Sequence, residues 1–242
     1  MKFWVESGDG KRAVDLYSDE GFKLAAELWL KASCHRKLMY EPTWLGIPII
    51  QYPNDIVMMQ ELIWKLRPDV IVETGVAHGG AAILYASILE LIGKGEVIGI
   101  DIEIRKYNDI AIRSHPLSKR ITLIEENSTG NKAVERIRGI VEAKRTVLVA
   151  LDSNHSRAHV LREMELYGPF VTQGSYMVVM DGAQEMMWSL PEGKKEWRED
   201  NPLKAIEEFV AGNDEWRIDT YYNRLEVTSN PKGFLQKVGA RK

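Results

Sequence analysis

A short apolar run that turns through glycines into an alanine-rich helix constrains this chain of 242 residues more than any other stretch. Val70-Ile71-Val72 has the β-branched character of a strand buried on both faces. The run ends on Glu73, turns through Gly75, Gly79 and Gly80, and continues from Ala81 to Ala86 in good helix formers. Strand, glycine turn and helix in that order open a nucleotide-type site. Glycine lets the backbone approach a ligand, and the helix N-terminus presents free N–H groups. The spacing matches neither the dinucleotide fingerprint nor a P-loop, because no Gly-Lys-Ser/Thr follows the turn. A plain tight turn is the competing reading, and His78 inside it either contacts a ligand or bonds within the loop.

The alternation continues down the chain. Strand-like runs over 97–101, 121–125, 147–152 and 176–181 are separated by helical patterns, among them 131–144 with Val134, Ile137, Ile140 and Val141 inward. This implies an α/β fold: a doubly wound, mainly parallel, Rossmann-like sheet with helices on both faces. Residues 1–53 read as an N-terminal extension whose helix, with Leu24 and Leu28 on one face, packs on the core or forms a lid or dimer contact. Within it, the prolines of 40–53 forbid a regular helix. Residues 54–242 form the ligand-binding domain, entered by a helix over 56–66 capped by Asn54 or Asp55. Past it, 191–200 reads as a charged surface loop or substrate lid, Pro202 starts a helix to Val210, and 216–219, 225–228 and 234–238 read as closing strands.

Glu73, Asp101, Asp152 and Asp181 each end a predicted strand. Ligands of such sheets sit beyond the strands' carboxyl ends, and four acids on one edge are costly to assemble unless they bind something. Asp101, lying past the glycine turn, suits hydrogen bonds to ribose hydroxyls. Asp152 and Asp181 can share a hard divalent cation such as Mg²⁺. His155, three residues past Asp152, suits a general base toward a hydroxyl. A rival makes Asp152, His155 and His159 an iron site of the two-His, one-carboxylate kind. The plainest alternative is that Asp152 caps a helix and His155 is polar surface.

Composition narrows the partners. With 32 Lys+Arg against 35 Asp+Glu, the net charge of -3 gives no electrostatic case for nucleic acid or an anionic membrane. The single cysteine, Cys34, excludes an internal disulfide framework. No apolar run reaches membrane-spanning length and no signal peptide opens the chain, so the expected location is cytoplasmic, with a homo-oligomer left open.

Several separated blocks resemble the cephalosporin hydroxylase family, which includes rhamnosyl O-methyltransferase-like proteins. They are Gln51-Tyr52-Pro53-x-Asp55, Gln60-Glu61, Pro68 to Gly75 with His78-Gly79-Gly80, Gly99 to Ile102, Leu151-Asp152-Ser153-x-His155, and Val178-Val179-x-Asp181. The resemblance implies a class I methyltransferase with S-adenosylmethionine as cofactor, held by Glu73, Gly75, Gly79 and Asp101, with His78 and Ser128 counted beside them. It implies O-methylation of a hydroxyl on a sugar or other small polar acceptor. It also implies catalysis by His155 and Asp152, with Mg²⁺ on Asp152 and Asp181. The chain departs at Met180, where the related macrolide-pathway enzymes have a glutamate; a thioether is a poor Mg²⁺ ligand, and Gln184 or Glu185 are the nearby substitutes. The rival functions are an iron and 2-oxoglutarate hydroxylase, as the family name suggests, and a non-catalytic S-adenosylmethionine-binding protein.

Overall fold

A computed structural model describes residues 1–7 and 10–239. The chain opens with a hairpin, β1 (Lys2–Ser7) and β2 (Gly10–Asp15), and a helix, α1 (Asp19–His35). A two-residue ladder, β3 (Thr43–Trp44) with β4 (Ile47–Pro48), leads to α2 (Pro53–Leu66). There follow β5 (Val70–Thr74), α3 (Gly80–Ile92), β6 (Glu96–Asp101), α4 (Lys106–Ser114) and β7 (Ile121–Glu125). Then come α5 (Asn131–Val141), β8 (Val147–Leu151), α6 (Arg157–Tyr167), β9 (Tyr176–Val179) and α7 (Gln184–Met187). The chain closes with α8 (Pro202–Ala211), β10 (Trp216–Ile218) and β11 (Phe234–Lys237).

The seven-stranded sheet runs β10-β11-β9-β8-β5-β6-β7. Strands β5 to β9 are mutually parallel, while β11 pairs antiparallel with both β9 and β10. The doubly wound α/β expectation therefore holds, with an antiparallel edge. The order reverses beside β5, which is flanked by β6 on one side and β8 on the other. A crevice opens at that switch point beyond the strands' carboxyl ends.

Alternate residues of the strands feed two cores. Val70, Val72, Val147, Val149 and Val179 pack with α5, α6 and α8 on one face. Ile71, Leu148, Ala150, Val178 and Met180 pack with α2 and α3 on the other. Burial on both faces explains why these strands read as unbroken apolar runs rather than alternating ones. A smaller cluster of Leu30, Tyr52, Ala183 and Met187 joins α1 to the segment after β9.

Three readings need correction. In α1 the buried residues are Gly21, Ala26, Leu30 and Ser33, whereas Leu28 is exposed, so the inward stripe is not Leu24–Leu28. Asp55 does not cap α2; Tyr52 holds the N-cap position, and the buried Asp55 carboxylate accepts from Thr228 Oγ1, Ser229 N and Ser229 Oγ. Residues 225–228 form no strand, with Glu226 at φ 60°, and β11 lies between β10 and β9 near the sheet edge. Within the 191–200 run, Lys195–Arg198 forms a 3₁₀ turn, and Trp197 packs on the third cluster.

Candidate active site

Gly75 ends β5 at φ 85°, and a Cβ there would lie 1.9 Å from the Asp152 carbonyl oxygen. Only glycine lets the turn pass against the end of β8, so this position joins the two halves of the crevice. Asp101 at the end of β6 ties the turn down: its Oδ2 accepts from Val76 N at 2.8 Å and Ala77 N at 3.1 Å, and its Oδ1 accepts from Glu103 N at 3.2 Å. Each carboxylate oxygen has two lone pairs, so Oδ1 retains capacity toward a ligand hydroxyl. A cavity of about 330 Å³ lies beside it, lined by Gly75, Asp101, Ile102, Ser128 and Asp152. A second, of about 220 Å³, lies over the glycine turn and includes His78, Gly79, Asp152, His155 and Asp181. His78 Nδ1 also approaches Asn108 Oδ1 at 3.4 Å, so it lines the cavity and bonds within the loop region at once.

Glu73 departs from its expected place. It is fully buried inside β5, lines neither cavity, and both of its carboxylate oxygens lack a hydrogen-bond partner. Burial, with Asp152 and Asp101 nearby, drives its pKa well above the ordinary carboxylate value. It sits behind the site with Tyr85, whose hydroxyl also has no partner among the described residues.

Asp152, His155 and Asp181 come together, each able to offer one donor atom within 4.8 Å of the others. Two loops bring them there. The backbone of Asp152 donates to Thr74 O at 2.9 Å, fixing the exit of β8, and Ser156 is the N-cap residue of α6 just beyond His155. Asp181 takes a left-handed backbone, φ 59°, and its N–H donates to the buried Asn230 Oδ1 at 2.9 Å. Such strain in a non-glycine residue persists only where its surroundings hold it. His155 Nδ1 stands 3.3 Å from Asp181 Oδ2, and Nε2 stands 3.5 Å from Asp152 Oδ1 without a well-formed hydrogen bond. Burial pushes the Asp152 carboxyl up to about 6. For His155, burial works downward, but the Asp181 and Asp152 carboxylates outweigh it and raise the imidazole to about 9.

Met180 does not join this group. Its side chain is buried in the α2/α3 core, where its sulfur accepts from Gln51 Nε2 at 3.4 Å. The suggested substitutes are engaged elsewhere: Glu185 pairs with Lys204 at 2.9 Å, and Gln184 Nε2 donates to Asp200 O at 3.2 Å. His159 turns toward Ser128, Ser153 and Glu163, at 3.3, 3.3 and 3.4 Å, rather than toward His155. The iron set of Asp152, His155 and His159 is therefore not assembled. Two oxygen-donor carboxylates with an unpartnered imidazole nitrogen between them suit a divalent cation that keeps water or substrate oxygens. Asn230 and Ser229 were not legible as site residues, because they act across about 50 residues of chain, through the hydrogen bond that sets Asp181.

A larger hollow of about 490 Å³ lies at the opposite edge, against Asp69, Glu96, Lys144 and Arg145. Its two carboxylates are paired, Asp69 with the nearby Lys94 at 2.7 Å and Glu96 with Lys144 at 2.8 Å, and it holds none of the site residues.

The chain is similar to several known proteins. The family model for rhamnosyl O-methyltransferase/CmcI matches residues 36–238. A rhamnosyl O-methyltransferase of Mycobacterium tuberculosis (strain ATCC 25618 / H37Rv) is 31% identical over 200 residues, 80% of this chain and 77% of that protein. That of Mycobacterium leprae (strain TN) is 36% identical over 141 residues, 57% of this chain and 59% of that protein. Among solved structures, CmcI with Mg and SAM superposes with a TM-score of 0.60 at 21% identity, covering 83% of this chain and 78% of that one. An O-methyltransferase from Bacillus cereus in complex with SAH gives 0.51 at 14% identity, with 84% of each chain covered. Both structural likenesses speak to the fold. No helix among the described residues is long and apolar enough to cross a membrane.

Proposed function

We propose, from the premise that this chain belongs to the rhamnosyl O-methyltransferase/CmcI family, that it methylates a hydroxyl of a sugar or similarly small polar acceptor with help from Mg²⁺. The chain is an S-adenosylmethionine-dependent O-methyltransferase; the acceptor class and the metal are the proposal. S-adenosylmethionine supplies a methyl group already activated as a sulfonium, so the protein's work is alignment and proton removal. Gly75, Gly79, Asp101 and Ser128 line the cavities that would hold this donor. His155 takes the acceptor's proton, and Asp152 and Asp181 stabilise the imidazolium that results. Mg²⁺, if held by the same two carboxylates, would acidify and position the acceptor hydroxyl as a Lewis acid.

The observation that carries the reading is His155, flanked by two carboxylates where the donor cavity ends. The test uses S-adenosylmethionine labelled in the methyl group, with a panel of neutral glycosides, in Mg²⁺ and in chelator. Label should enter a glycoside with wild type. With His155→Ala, turnover should fall by about 10²–10⁴ while cofactor affinity stays the same. Equal turnover by His155→Ala would sink the base assignment, and equal rates in chelator would remove Mg²⁺. Cofactor binding without transfer to any acceptor would favour the non-catalytic reading.

A further inference from the structure

His155 and Asp181 line not only the cavity over the glycine turn but also an adjoining chamber of about 260 Å³, which shares Tyr40, Ile50 and Gln51 with it. The chamber's apolar walls include Met39 and Tyr40 after α1, Ile50 and Tyr52 before α2, and Met187 and Trp197 from the segment following β9. The third hydrophobic cluster holds these walls together, and His35 Nδ1 and Glu192 Oε2, 2.9 Å apart, clasp the end of α1 to that segment. A hydroxyl placed at His155 therefore faces the glycine turn on one side, while the body carrying it occupies the chamber.

The lining says what that body is. Met39, Met187, Tyr40, Tyr52 and Trp197, with Ile50 and Ala183, make up about half of the lining, and His155 and Asp181 are among the polar residues beside them, as in sites that fix a largely apolar body by a few polar contacts. No lysine or arginine is among the lining residues, and Asp181 is the only carboxylate there. Away from the His155–Asp181 end, an anionic group on the acceptor body would be desolvated with no lysine or arginine among the described lining residues to pair it. We infer that this chamber is the acceptor site, that it takes an uncharged hydroxyl-bearing group through an apolar face, and that Trp197 is a specificity-determining residue. The inference rests on the methyl-transfer reading above.

The test compares octyl hexoside with octyl hexuronide, which differ only in a carboxylate replacing the hydroxymethyl group, using the full chain and S-adenosylmethionine. The hexoside should be methylated with a KM at least about tenfold below that of the uronide, and Trp197→Ala should raise the hexoside KM about tenfold, equivalent to about 1.4 kcal/mol. Cofactor affinity by calorimetry should stay unchanged, which also shows that the variant folds, and Trp197→Phe should recover most of the loss. A uronide used as well as the hexoside overturns the inference. So does an unchanged KM in Trp197→Ala, or the absence of turnover of either glycoside by protein that binds cofactor. Failure of wild type to bind S-adenosylmethionine removes the methyl-transfer reading, and the inference with it.

Discussion

His155 provides the sharpest prediction, because its environment makes it a poor base at neutral pH. With the imidazole raised to about 9 by Asp181 and Asp152 against the opposing effect of burial, only about one molecule in a hundred holds the free base at pH 7. In chelator, kcat/KM should therefore climb about tenfold per pH unit above neutrality and level off near 9, about a hundredfold in all. Asp152, raised to about 6, is already ionised across that range, so the observed limb belongs to the coupled group as a whole. Asp181→Asn removes the largest charge holding the imidazole up and should move the limb to lower pH, even if the maximal rate falls. Added Mg²⁺ should displace it the same way. The assay is initial-rate formation of S-adenosylhomocysteine across the range from pH 6 to 10, with buffers overlapped. A profile that is flat between pH 7 and 9 in wild type, or an Asp181→Asn limb at higher pH, would refute the reasoning.

Three other perturbations follow from the same geometry. Asp101→Ala should weaken cofactor binding markedly in calorimetry, since the carboxylate both ties down the Val76 and Ala77 amides and faces the donor cavity. Gly75→Ala should cost about 2 kcal/mol or more in chemical denaturation, because φ 85° is strained for alanine and its Cβ would overlap the Asp152 carbonyl. The raised His155 pKa favours the folded state below the ordinary histidine value of about 6.5, and that contribution fades as pH rises to about 9. Thermal melts should show wild type losing stability across this window and His155→Gln losing less.

Much of this was visible in the chain itself. The opening strand, the glycine turn and the alternation of apolar runs with helices were legible because β5, β8 and β9 are buried on both faces and leave an uninterrupted signal. Asp101, Asp152, His155 and Asp181 were legible because each lies at a strand's carboxyl end, where topology fixes the destination. Glu73 obeyed the same rule yet points into the protein, since one position along a strand exchanges the cavity for the core. The third cluster, the placing of Trp197 and the hydrogen bond from Asp181 to Asn230 depend on contacts between distant segments, which no local period encodes. The N-terminal hairpin was missed for another reason: its exposed faces carry charges and aromatics without the alternation that marks a half-buried strand.

The central claim is that the crevice from Gly75 to Asp101 holds the methyl donor beside His155. Calorimetric titration of the purified wild-type protein with S-adenosylhomocysteine, repeated with His155→Ala and Asp101→Ala, tests it most directly. The account predicts one-site micromolar binding to wild type, the same affinity in His155→Ala, and a large loss in Asp101→Ala. No binding to wild type, or full affinity in Asp101→Ala, would contradict it.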